Sequence, residues 1–132
     1  MTEIIQNLLI PASVIIGFVI GLSFADIDLA PPLPLRHRSV WTHSPIVPFA
    51  MSFFAYVHPL MPWFLLGFLP AYTLHLLADC FPKRWYGAAK INLYPLNGSL
   101  NGGASFLVLA GGAVASVWLW FPQVTALVGR WL

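Results

Sequence analysis

Residues 4–24 form an apolar stretch without a single charged side chain, and as an α-helix it would rise about 30 Å, the thickness of a bilayer's hydrocarbon core. The run continues for about 20 residues behind Met1-Thr2-Glu3, with neither the basic start nor the small-residue cleavage pattern of a secretory signal, so a retained membrane helix is expected. The same character recurs at 60–79 and 102–121. In a chain of 132 residues there is too little protein to wrap three such segments, and one domain is expected. Composition agrees: hydrophobic residues make up 59%, charged residues 8%, and the mean hydropathy is +0.81. Soluble domains carry roughly 25% charged residues, so lipid is the expected solvent. A net charge of +2 gives no reason to expect a nucleic-acid partner.

Two polar segments separate the spans. Residues 25–42 hold Asp26, Asp28, Pro31-Pro32, Pro34 and Arg36-His37-Arg38, which cannot continue a helix through lipid. Residues 81–101 hold Lys83, Arg84 and Lys90 among turn-forming residues. Between them, 44–56 is apolar but short of the roughly 17 residues usually needed to span. The fold expected is an all-α integral membrane bundle of about four transmembrane helices, the second short. Four crossings bring both polar segments to one side and both termini to the other. Five of the six basic residues then share the loop side and only Arg130 lies opposite, so the loops are expected in the cytoplasm of a bacterial plasma or internal membrane.

That arrangement concentrates the chemistry. Three of the four acidic residues, Asp26, Asp28 and Asp79, fall at the ends of the first and third of the four helices on the loop side, together with His37, His43 and His75. In the third helix, 60–79, Tyr72, His75 and Asp79 are spaced i, i+3 and i+7 and project from one side. Carboxylates at helix C-termini are unfavourable and repel one another, so a cation should compensate. Arg36, Arg38 and Arg84 could do so as ion pairs. A divalent metal ion could do so as well, and mixed imidazole and carboxylate donors suit Zn²⁺, Mn²⁺ or Fe²⁺ better than Ca²⁺. Spacing alone leaves both open.

The order Asp26-Ile27-Asp28, His37-Arg38-Ser39, Thr42-His43-Ser44 and His75-x3-Asp79, over residues 21–82, resembles the YdjM-like family of membrane-bound metal-dependent hydrolases. Members share a helix ending in D-x-D, an H-R…T-H-S loop and a later helix with H-x3-D. Here Ala25 stands where proline is common before the first Asp, and three residues rather than two separate Arg38 from Thr42. The resemblance implies Asp26, Asp28, His43, His75 and Asp79 as metal ligands, His37 as a further ligand or proton carrier, and Arg38 as the holder of an anionic group. The function it implies is hydrolysis of an ester or phosphoester at the cytoplasmic membrane face, where an amphiphilic substrate would fit. The rival expectation is a non-catalytic accessory subunit of a larger membrane complex, packed on other membrane subunits or on pigment, with His75 as a possible magnesium ligand.

Other residues have plainer readings. Thr42 and Ser44 before Pro45 suggest a helix N-cap. Gly17 and Gly21 form a small-xxx-small pair suited to close helix packing. Pro70 should kink its helix, Trp118 and Trp120 suit the headgroup level, and His58 beside Pro59 suits a solvated turn opposite the motifs. Asn97-Gly98-Ser99 reads as a turn. Cys80 is the sole cysteine and can form no internal disulfide.

Overall fold

The computed structural model describes residues 2–29, 38–81, 89–93 and 96–129. Among them are four α-helices: α1 (Thr2–Phe24), α2 (Ile46–Phe53), α3 (Met61–Cys80) and α4 (Gly102–Val128). Three helical segments, Asn7–Asp28, Met61–Cys80 and Gly102–Val128, are long and apolar enough to cross a membrane. Short 3-10 segments extend α1 through Ala25–Leu29 and α2 through Phe54–Tyr56.

α3 is the centre of the bundle, with Leu65, Phe68, Leu69, Tyr72 and Leu76 fully buried. α1 lies parallel to it and very close. A Cβ at Gly17 would run into the carbonyl of Phe64, one at Gly21 into that of Phe68, and one at Gly67 into that of Val14. The glycine pair of α1 therefore does pack, and it meets a third glycine on the facing helix. α4 runs antiparallel to α3, so that Gly112 sits beside Leu76 and Trp120 beside Leu66.

That last contact solves a problem created by Pro70. Proline has no amide hydrogen to give the carbonyl four residues back, so the Leu66 oxygen would be left without its helical partner in an apolar setting. The indole Nε1 of Trp120 donates to it at 3.1 Å. Trp120 thus has a hydrogen-bonding role within the bundle. Helix α4 continues seven residues beyond 121, to Val128, which puts Trp118 and Trp120 well inside the helix. Hydroxyls on the helices are also satisfied locally: Thr73 and Ser116 each donate to the carbonyl four residues back.

α2 is too short to cross by itself. With its 3-10 extension it covers Ile46–Tyr56, a rise of about 16 Å against a hydrocarbon core of about 30 Å. The preceding loop makes up part of the depth. Pro45 lies beside Gly111 and Gly112, nine or ten residues into α4, and Phe49 meets Trp118 further along. Residues 39–45 therefore descend into the bundle as irregular backbone instead of staying at the interface. Irregular backbone at such depth must be buried in protein and hydrogen-bonded there. Ser39, Thr42, His43 and Ser44 are buried, and the hydroxyl of Tyr72 donates to the carbonyls of Thr42 at 2.7 Å and Ser44 at 3.3 Å.

Candidate metal centre

The segment 39–45 carries His43 to the carboxyl ends of α1 and α3, and its entry is clamped from above. Asn92 donates its amide to the Arg38 carbonyl at 2.8 Å and accepts from the Val40 amide at 2.9 Å, an isolated parallel bridge. Arg38 there has φ +58, the left-handed region that non-glycine residues rarely occupy and that costs about 1–2 kcal/mol. The bridge holds that conformation, and the guanidinium Nη2 reaches Asp79 Oδ1 at 3.3 Å.

The two first-loop aspartates part company because they stand on a 3-10 turn, where residues i and i+2 point about 120° apart. Asp26 is half exposed and turns toward His75, with Oδ1 at 3.9 Å from Nε2. Asp28 is buried and turns toward the loop, where its Oδ2 accepts from the Ser39 amide at 2.9 Å and the Thr42 hydroxyl at 2.8 Å. It lies 3.7 Å from Nδ1 of His43. Asp79 lies against the other edge of the same ring, with Oδ2 3.3 Å from Nε2.

His75 sits one turn before Asp79 on α3, and its Nε2 is 3.8 Å from Asp79 Oδ2. Its Nδ1 is 2.8 Å from the carbonyl of Leu22, one of the oxygens the end of α1 leaves available. A carbonyl can only accept, so Nδ1 carries a proton and donates it there, while Nε2 faces the carboxylates of Asp26 and Asp79. The two imidazoles meet edge to face with centroids 5.7 Å apart.

One ligand atom from each of Asp26, His43 and His75 falls within 4.8 Å of the others. Asp79 Oδ2 is buried between the two imidazoles and has no hydrogen-bond partner among the described residues. Of the residues expected to form the site, Asp26, His43 and His75 are brought together, Asp79 lies against the two imidazoles, and Asp28 stands behind His43. Arg38 pairs with Asp79. His37, Arg36, Lys83 and Arg84 lie outside the described residues, and Lys90 is exposed. Sequence reasoning missed the loop's supports: Thr42, Asn92, the Leu22 carbonyl and the full role of Tyr72, whose place on the His75 face was the one available signal. Ser44 does take a local turn role, its Oγ accepting from the Ile46 amide at 3.3 Å, but the residue before α2 is Pro45 and makes no side-chain cap. His58 is exposed in its turn.

Fold and cluster together describe an all-helical protein with three candidate membrane spans and an Asp/His cluster where two of them end. Comparison with protein-family models, curated proteins and solved structures finds no match to this chain.

Proposed function

We propose that this cluster binds one divalent transition-metal ion and that the protein is a metal-dependent hydrolase of an ester or phosphoester at the cytoplasmic face of the membrane. The observation that carries the reading is Asp79 Oδ2, a buried carboxylate oxygen without a hydrogen bond among the described residues, set 3.3 and 3.8 Å from two imidazole Nε2 atoms. Ligands at 2.0–2.2 Å from a tetrahedral centre stand about 3.3–3.6 Å apart, so these spacings need only small closure. Ionisable groups within membrane spans are costly, and their gathering here supports a functional role over a structural one.

An ion so held would act as a Lewis acid and lower the pKa of a coordinated water towards about 7. The protein's own residues divide the remaining work. His43, His75, Asp79 and Asp26 supply two nitrogens and two carboxylates. Asp28 orients His43 from behind. Arg38 is about one-third exposed and uses Nη2 on Asp79, which leaves donors of its planar fork to hold an anionic group beside the ion. Asp26 and Arg38 are the exposed members and His43 is fully buried, so an opening on the loop side suits an amphiphile whose head reaches the cluster while its tail stays in lipid.

The Arg38–Asp79 ion pair favours the rival reading, in which the cluster is an anchor in a non-catalytic subunit. In that reading a protonated His75 pairs through Nε2–H with Asp26 and Asp79, whereas in the metal reading the ion takes the place of that proton. The test is turnover by the purified protein in liposomes against a panel of phospholipids and soluble phosphoesters, with and without Zn²⁺, Mn²⁺ or Fe²⁺. Metal-dependent turnover, reduced much more than metal content by Arg38→Lys, is expected. Absence of turnover across the panel would favour the accessory subunit.

A further inference from the structure

A hydroxyl has one proton to give, and Thr42 faces three groups that could take it. Its Oγ1 is 2.8 Å from Asp28 Oδ2, 3.2 Å from the Ser39 carbonyl and 2.9 Å from Nδ1 of His43. The first two can only accept when the carboxylate is ionised. If Thr42 gave its proton to His43, a carboxylate oxygen would face a hydroxyl lone pair at 2.8 Å in a buried site, which is repulsive. At the Nδ1 edge the arrangement without conflict runs one way: His43 Nδ1–H donates to Thr42 Oγ1, and Thr42 Oγ1–H donates to Asp28; at the other edge the Nε2 lone pair then faces Asp79 Oδ2 at 3.3 Å, a contact that a cation between them would relieve. Asp28 Oδ2, only 3.7 Å from Nδ1, favours a proton there as well. The Ser39 amide completes the hold on Asp28 at 2.9 Å.

We propose that Thr42 is a positioning residue for the candidate metal centre: clamped between Asp28 and His43, it fixes the His43 imidazole as the Nδ1–H tautomer and so presents Nε2 to the ion position beside Asp79. The proposal rests on the metal reading for its purpose but not for its geometry. His75 is held at the same ring nitrogen by another route, through the Leu22 carbonyl. Groups that fix a ligating histidine in this way commonly carry about 10- to 100-fold of metal affinity.

The tautomer can be read without metal or turnover. In full-length protein labelled with ¹⁵N-histidine, stripped of metal and held in nanodiscs, the signals missing from His43→Asn identify His43. Its Nδ1 should be the protonated nitrogen in the wild type and in Thr42→Ser, which keeps the hydroxyl. Thr42→Val keeps the shape and the backbone carbonyl that Tyr72 holds, and should shift the ring towards the Nε2–H form. Co²⁺ affinity, read from the visible ligand-field spectrum, should fall about 10- to 100-fold in Thr42→Val and be retained in Thr42→Ser. A wild-type Nε2–H tautomer, or a Thr42→Val ring unchanged from the wild type, overturns the proposal. An unchanged Co²⁺ affinity in Thr42→Val despite a changed tautomer also overturns it, because the positioning would have no consequence. Failure of wild-type protein to bind Co²⁺ sinks the metal reading instead, and the tautomer still decides the Thr42 relay.

Discussion

Gly67→Ala would place a methyl group against the carbonyl oxygen of Val14, well inside van der Waals contact, at the closest approach of α1 and α3. Backbone cannot swing aside as the tip of a side chain can, so the two helices must separate. Overpacking of a well-packed contact costs about 1–3 kcal/mol, a roughly 5- to 150-fold smaller folding constant. The consequence reaches the candidate site, because α1 supplies Asp26 and the Leu22 carbonyl while α3 supplies His75 and Asp79. Separation should therefore weaken Co²⁺ binding as well as folding. Gly111→Ala is the control: its added methyl would meet Pro45 at an ordinary 3.6 Å, and alanine is the better helix former by about 1 kcal/mol in water. Reversible unfolding in mixed micelles, followed by tryptophan fluorescence, measures the first effect and Co²⁺ titration the second. If Gly67→Ala matched Gly111→Ala in both, the close parallel crossing and its link to the cluster would be refuted.

Three further outcomes follow from the same contacts. Tyr72→Phe removes the hydroxyl that holds the Thr42 and Ser44 carbonyls, and should cost about 1–3 kcal/mol in the same unfolding assay while loosening His43. Trp120→Phe keeps the aromatic bulk but strands the Leu66 oxygen opposite Pro70; a loss of about 0.6–1.7 kcal/mol is expected, and no loss would mean that the carbonyl finds another donor. In a chain with Cys80 replaced, Asn97→Cys and His58→Cys, both at exposed positions, should react with impermeant reagents from opposite sides of sealed vesicles, Asn97→Cys from the cytoplasmic side. Labelling of both from one side would defeat the crossing by α3, which lies between them.

The long helices were legible because length and apolarity decide them in lipid: 60–79 became Met61–Cys80, and 4–24 became Thr2–Phe24. Meeting of the ends of α1 and α3 followed from counting crossings, and with it the approach of Asp26, His43, His75 and Asp79. The depth of residues 39–45 was not legible. A polar loop reads as interfacial, and only the tertiary partners Tyr72, Asp28 and Asn92 make its burial affordable. The split of Asp26 from Asp28 follows from the helical turn on which they stand, where an extended loop, equally compatible with the letters, would have left them on one side. Thr42 looked like a cap because hydroxyl residues before proline usually are; here a buried carboxylate competes for the hydroxyl and wins. The bond of Trp120 to the Leu66 carbonyl was not legible, because it depends on which helix α4 packs against.

The central claim is that the Asp/His cluster is a metal site, and metal content tests it most directly. Protein purified without chelator, exchanged into metal-free buffer and analysed by inductively coupled plasma mass spectrometry should carry close to one transition-metal ion per chain. Asp79→Ala should lose that ion while its helical circular dichroism stays that of the wild type, since lipid and packing hold the spans and the cluster holds the metal. Wild-type protein that binds no transition metal after reconstitution with Zn²⁺, Mn²⁺ or Fe²⁺, or an Asp79→Ala variant that keeps its full complement, would contradict the account.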